Sequence, residues 1–102
     1  MRILVASNST SKRTDYFIKA GRSLGADTCF VTYDELSAVL PDCRDTVVKL
    51  EPPVFREADF RKYNLLCEEY RSLLSRLADT DKSESVHFLN EPAAILCALD
   101  TV

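Results

Sequence analysis

Residues 2–32 read Arg-Ile-Leu-Val-Ala-Ser-Asn-Ser-Thr-Ser-Lys-Arg-Thr-Asp-Tyr-Phe-Ile-Lys-Ala-Gly-Arg-Ser-Leu-Gly-Ala-Asp-Thr-Cys-Phe-Val-Thr, and they decide the fold. Ile3–Ala6 is a continuous apolar run, the pattern of a strand buried on both faces of a sheet. Ser7–Thr14 is polar. A helix is expected from about Thr14 to Leu24, with Phe17, Ala20, Gly21 and Leu24 on one face and Gly25 placed to end it. Thr28–Thr32 reads as a second strand. Strand, helix and strand in so short a span make a βαβ unit, which requires a parallel sheet and a right-handed crossover.

The same alternation runs through the rest of the chain. Thr32 and Glu35 have capping-box spacing and start a short helix through about Val39. Thr46–Leu50 is a third strand, broken by Glu51-Pro52-Pro53-Val54 because proline cannot donate to a ladder. Asp59 is placed to cap a long helix, Phe60–Leu77. Its apolar positions Phe60, Tyr63, Leu66, Cys67, Tyr70, Leu73, Leu74 and Leu77 recur at helical spacing. Ala78–Ser85 reads as a charged surface loop in which Asp79, Asp81 and Glu84 form a solvated turn. Val86–Leu89 is a fourth strand, and a last helix begins near Asn90. These elements predict an α/β fold: a single small three-layer, Rossmann-like domain over residues 1–102, its parallel sheet of about four strands flanked by helices.

At 102 residues the chain is one domain in length, and roughly 65% of its unfolded surface is expected to be buried on folding. A net charge of −3 argues against nucleic acid as the main partner, because phosphate backbones need a basic face. No apolar run reaches membrane-spanning length, and no signal peptide precedes the first strand. Cys29, Cys43, Cys67 and Cys97 are scattered, without Cys-x-x-Cys or a nearby histidine pair, and are expected to be buried free thiols. With no sign of an oxidising compartment, the expected location is the cytoplasm.

In open parallel sheets, ligands bind beyond the carboxyl ends of the strands, near the switch in strand order. Three loops qualify. Ser7–Thr14 offers hydroxyls, the Asn8 amide, Ser9 and the cations Lys12 and Arg13 beside a helix N-terminus. That set suits phosphate or carboxylate, the competing reading being a solvated loop that caps the helix. Lacking glycine, it is neither a dinucleotide fingerprint nor a Walker loop. Glu51, held by two prolines, can receive an ammonium group or be an ordinary exposed residue before a turn. Asn90 can touch a ligand or serve as an N-cap with Pro92 in the first helical turn. His87, inside a strand, reads as a satisfied structural histidine. No nucleophile–histidine–acid set and no metal-ligand spacing can be assembled, so no catalytic, cofactor or metal residue is assigned.

Residues 86–101, Val-His-Phe-Leu-Asn-Glu-Pro-Ala-Ala-Ile-Leu-Cys-Ala-Leu-Asp-Thr, carry Ala93–Leu99 without a polar side chain. A helix apolar all round requires burial on every side. The sequence therefore reads as the front part of something larger. Arg2-Ile-Leu-Val-Ala6, Lys12-Arg13-Thr14, Val31-Thr-Tyr-Asp-Glu-Leu36, Val48-Lys-Leu-Glu-Pro-Pro53 and Phe88-Leu-Asn-Glu-Pro-Ala-Ala-Ile95 with Asp100 together resemble the N-terminal domain that precedes the catalytic core of ATP-grasp enzymes. In that family an Asp-Lys pair opens the ATP-binding half; here Thr101 follows Asp100.

The resemblance implies a ligase that activates a carboxylate as an acyl phosphate and joins it to an amine or similar nucleophile. It implies ATP and Mg²⁺ only in a downstream core, and a small-molecule substrate positioned here by Asn8, Ser9, Lys12, Arg13, Glu51 and Asn90. This domain would not be catalytic by itself, its partner being the ATP-grasp core that follows. The alternative is a stand-alone, non-enzymatic α/β module that binds or dimerises through Ala93–Leu99. A flavodoxin-like or receiver-like module fits less well, because neither an acidic pair with its lysine nor a flavin phosphate loop has a counterpart.

Overall fold

The structure is a computed structural model that describes residues 1–54, 62–79 and 86–100. Strands and helices alternate: β1 (Arg2–Ser7), α1 (Lys12–Ser23), β2 (Asp27–Thr32), α2 (Tyr33–Val39), β3 (Thr46–Leu50), α3 (Tyr63–Asp79), β4 (Val86–Phe88) and α4 (Pro92–Asp100). All pairings are parallel, in the order β2-β1-β3-β4. Leu4 stands between Cys29 and Val48, and Val48 is paired in turn with Phe88. The chain thus leaves β1 in one direction to form β2, then crosses back to add β3 and β4 on the other side. The switch in order falls between β1 and β3, as the alternating pattern requires of a Rossmann-like three-layer fold.

The reversal sorts the helices. Right-handed crossovers place α1 on one face of the sheet and α2 and α3 on the other. Leu4, Ala6, Val31, Val48 and Leu50 turn to the second face and meet Tyr33, Leu36, Tyr70, Leu73 and Leu74 in one buried cluster. Burying a leucine such as Leu73 stabilises by about 2 kcal/mol relative to exposure. The helical spacing in α3 picked out its buried stripe, though Tyr63 is exposed at the helix start. The expected start at Asp59–Phe60 lies outside the described residues, as do the side chain of Asp79 and residues 80–85.

On the opposite face α1 makes a narrower contact. Thr14 and Gly21 are its buried residues, while Ala20 and Leu24, expected on the same stripe, are exposed. Gly21 lies against Thr28 of β2, so closely that a Cβ there would stand 2.3 Å from Thr28 Oγ1. Gly25, at φ +84°, supplies the left-handed residue that ends the helix.

Several boundaries differ from the sequence pattern: β2 starts at Asp27 rather than Thr28, and α3 runs on to Asp79 where a loop is expected from Ala78. α1 begins at Lys12 and not Thr14, because Ser11 and Thr14 cap it reciprocally: the Thr14 N–H donates to Ser11 Oγ at 3.3 Å and the Ser11 N–H to Thr14 Oγ1 at 2.7 Å. A threonine fills the role that the usual signature gives to glutamate, so the signature is silent there. β4 stops at Phe88, although the Leu89 N–H still donates to the Val48 carbonyl at 2.9 Å. In α4 the cap position falls on Glu91, whose carbonyl takes the Ile95 N–H at 3.0 Å, and not on Asn90.

Of the four free cysteines only Cys43 is buried; Cys29 and Cys67 are half-buried and Cys97 is exposed. His87 is exposed on β4 rather than a satisfied interior residue. α4 rests on α3, with Ile95 and Leu96 against the core and Ala93, Ala94, Cys97 and Leu99 exposed. Among the described residues no helix is long and apolar enough to cross a membrane.

Candidate functional site

At the switch point, residues that follow β1 and β3 enclose an open cleft of about 300 Å³. One wall is the start of α1, Ser11–Thr14; the other is the extended strap Glu51–Val54. The expected site residues Lys12, Arg13 and Glu51 therefore meet in one place, from segments far apart in the chain. Asn8 shapes the cleft from behind. Ser9, whose hydroxyl donates to the Thr10 carbonyl at 3.3 Å, and Asn90, exposed beyond β4, do not line it.

The α1 wall is electropositive by construction. The first N–H groups of a helix have no intrahelical acceptor. Ser11 Oγ takes that of Thr14 and the Ser11 carbonyl that of Asp15, which leaves the amides of Lys12 and Arg13 at the cleft. The positive end of the helix dipole and two exposed cationic side chains add to them. An anion is the ligand such a wall favours.

Glu51 is the opposite of an ordinary exposed residue before a turn. Its side chain is only 6% exposed, and one carboxylate oxygen contacts the Lys49 ammonium. The other lies 4.0 Å from a guanidinium nitrogen of Arg13. Lys49 and Glu51 are two apart on an extended segment, so they share a face, and that face turns toward α1, where the ammonium also sits 5.1 Å from the Phe17 ring. Burial, and after it the Arg13 guanidinium, push the Lys49 ammonium below the ordinary lysine range. Two cations, Lys49 and Arg13, thus flank one carboxylate while Lys12 lies on the same cleft wall, a local basic excess in an acidic chain.

The strap itself is held through its own backbone groups, mostly by side chains of other segments. The Glu51 N–H donates to the Ala6 carbonyl at 2.8 Å, and the Tyr33 hydroxyl donates to the Glu51 carbonyl at 2.6 Å. The fully buried Ser7 hydroxyl has one proton, shared between the Pro52 carbonyl at 3.1 Å and Asn8 Oδ1 at 3.2 Å. Asn8 pairs its amide with Val54 in both directions: Nδ2 donates to the Val54 carbonyl at 3.1 Å, and Oδ1 accepts the Val54 N–H at 2.7 Å. Tyr33 also stacks on Tyr70 of α3, with ring centroids 5.5 Å apart. Burial raises the pKa of both phenols above the ordinary tyrosine value; at Tyr33 a hydrogen bond from Ser7 partly opposes it.

Sequence reasoning missed Tyr33, Lys49 and Val54. Lys49 carried a usable signal, a lysine inside an apolar strand two residues before a glutamate. Tyr33 and Val54 carried none, because their roles depend on a hydroxyl and a backbone amide meeting residues far away in sequence.

Among the described residues no group of three or more histidine, cysteine or acidic side chains is placed to hold a metal. No protein-family model, curated protein or solved structure matches the chain.

Proposed function

We propose that this chain is the substrate-side α/β domain of an ATP-grasp-like carboxylate–amine ligase, without catalytic activity of its own, and that its cleft holds a small anionic substrate. The observation that carries the reading is the cleft at the β1–β3 switch point, with Lys12, Arg13 and the α1 N-terminus on one side. Lys12 and Arg13 bind the anionic group, and Glu51 with Lys49 anchors the Arg13 side. ATP and Mg²⁺ belong to a core that would follow this domain, and no residue here is assigned to them. Four free cysteines favour a reducing, cytoplasmic setting.

Calorimetry with inorganic phosphate and Mg·ATP tests the reading. The wild type is expected to bind phosphate in the cleft and Mg·ATP no more tightly than phosphate, since the nucleotide site belongs to the following core, and Arg13→Ala to abolish the phosphate heat. Tight Mg·ATP binding by this chain alone would contradict the reading, and an unchanged Arg13→Ala isotherm would remove the cleft from consideration.

A second reading is a stand-alone module that dimerises through α4. It rests on the exposed apolar residues Ala93, Ala94, Cys97 and Leu99, which a partner copy or a following domain would cover equally well.

A further inference from the structure

We propose that Tyr33, Ser7 and Asn8 are positioning residues that hold the Glu51–Val54 strap in the one geometry the cleft needs, so that anion affinity depends on a tyrosine outside the cleft. The proposal rests on the anion-binding reading of the cleft and adds residues that reading does not use.

The strap is anchored along its length. Five backbone groups are fixed by four residues of other segments: the Glu51 N–H by Ala6, the Glu51 carbonyl by Tyr33, the Pro52 carbonyl by Ser7, and both polar groups of Val54 by Asn8. A two-way amide pairing such as that of Asn8 with Val54 copies a ladder step, and so extends the β1–β3 pairing beyond the point where prolines end the strand. Pro52 and Pro53 stiffen the same segment by fixing two φ angles. An ordinary surface turn after a strand has no need of such restraint.

What the restraint fixes is Glu51. Its backbone is held on both sides while its carboxylate, almost buried, meets Lys49 and Arg13. Burying a carboxylate costs several kcal/mol unless its partners are well placed. A strap free to move would lose the Lys49 contact, hydrate the carboxylate and release Arg13 from its side of the cleft. The Tyr33 hydroxyl reaches the strap from the α2–α3 face and, by stacking on Tyr70, ties the cleft to the main hydrophobic cluster. Tyr33 does not line the cleft.

The experiment compares wild type, Tyr33→Phe and Asn8→Ala under conditions where circular dichroism shows all three fully folded. Two quantities are read: hydrogen exchange at the Val54 amide, and the dissociation constant for inorganic phosphate from amide shifts. Asn8→Ala is expected to raise Val54 exchange at least tenfold, and both variants to weaken phosphate binding at least threefold. A role confined to overall stability would lower the unfolding midpoint and leave the folded protein's phosphate affinity unchanged, which would overturn the proposal. Slow Val54 exchange in Asn8→Ala would overturn it independently of any ligand. If the wild type shows the Val54 protection but binds no phosphate, the anion reading fails, and the positioning role for anion binding fails with it.

Discussion

Replacing Gly21 by alanine tests the seat of α1, and with it the placement of the cationic wall. Alanine is the better helix former by about 1 kcal/mol, so propensity alone calls for a more stable protein. Packing calls for the reverse. The new Cβ would stand 2.3 Å from Thr28 Oγ1 and 3.1 Å from both Thr28 Cβ and Cγ2, and Thr28 is fully buried in β2. Thr28 cannot swing freely, because its hydroxyl is held by the Ala26 carbonyl at 3.2 Å and its backbone is paired with Ile3. Overpacking of this kind costs about 1–3 kcal/mol, and loss of the hydroxyl's bond about 1 kcal/mol more. After subtracting the propensity gain, Gly21→Ala should destabilise by about 1–3 kcal/mol, a fall in melting temperature of roughly 4–12 °C for a domain of this size.

Urea unfolding followed by circular dichroism gives the number. The paired variant Gly21→Ala/Thr28→Ala should recover at least about 1 kcal/mol relative to the sum of the single changes, since the closest contact is gone. A Gly21→Ala protein as stable as wild type would mean that α1 does not seat on β2 in this way.

Two further outcomes follow from the same geometry. Because Tyr33 and Tyr70 ionise less readily folded than unfolded, the stability they contribute is fully present below about pH 10 and is lost as pH rises above it. The expected slope is about 1.4 kcal/mol per pH unit for each tyrosine, shallower in Tyr33→Phe and checked by urea midpoints from pH 8 to 11.5; a flat profile would contradict the burial. If α4 mediates self-association, Ala94→Glu with Leu99→Lys should convert a dimer to a monomer in sedimentation experiments. A wild type monomeric at high concentration would leave that face to some other partner.

The order of elements was legible because period alone separates a doubly buried strand from an amphipathic helix: Ile3–Ala6 and Tyr70–Leu74 leave little choice. The start of α1 was less so, since Thr14 replaces the glutamate that marks a capping box. The switch-point rule found the loops of the cleft, and Lys12, Arg13 and Glu51 with them. It could not rank their members. Asn8 reads as a polar ligand in sequence and is spent on Val54 in the fold. Glu51 reads in sequence either as a receptor for an ammonium group or as an ordinary exposed residue before a turn, and in the fold Lys49 and the α1 face cover it. The Asn8 assignment depends on a contact between residues 46 apart, Asn8 and Val54, and the cover over Glu51 on the seating of α1; local pattern is blind to both.

The most direct measurement is a map of backbone amide shifts as inorganic phosphate is titrated into the wild-type protein and Arg13→Ala. Saturable shifts confined to Ser11–Thr14 and the amides of Glu51 and Val54, absent in Arg13→Ala, are the result predicted. Shifts scattered over the surface, or a response in Arg13→Ala equal to that of the wild type, would contradict an anion site at the β1–β3 switch point.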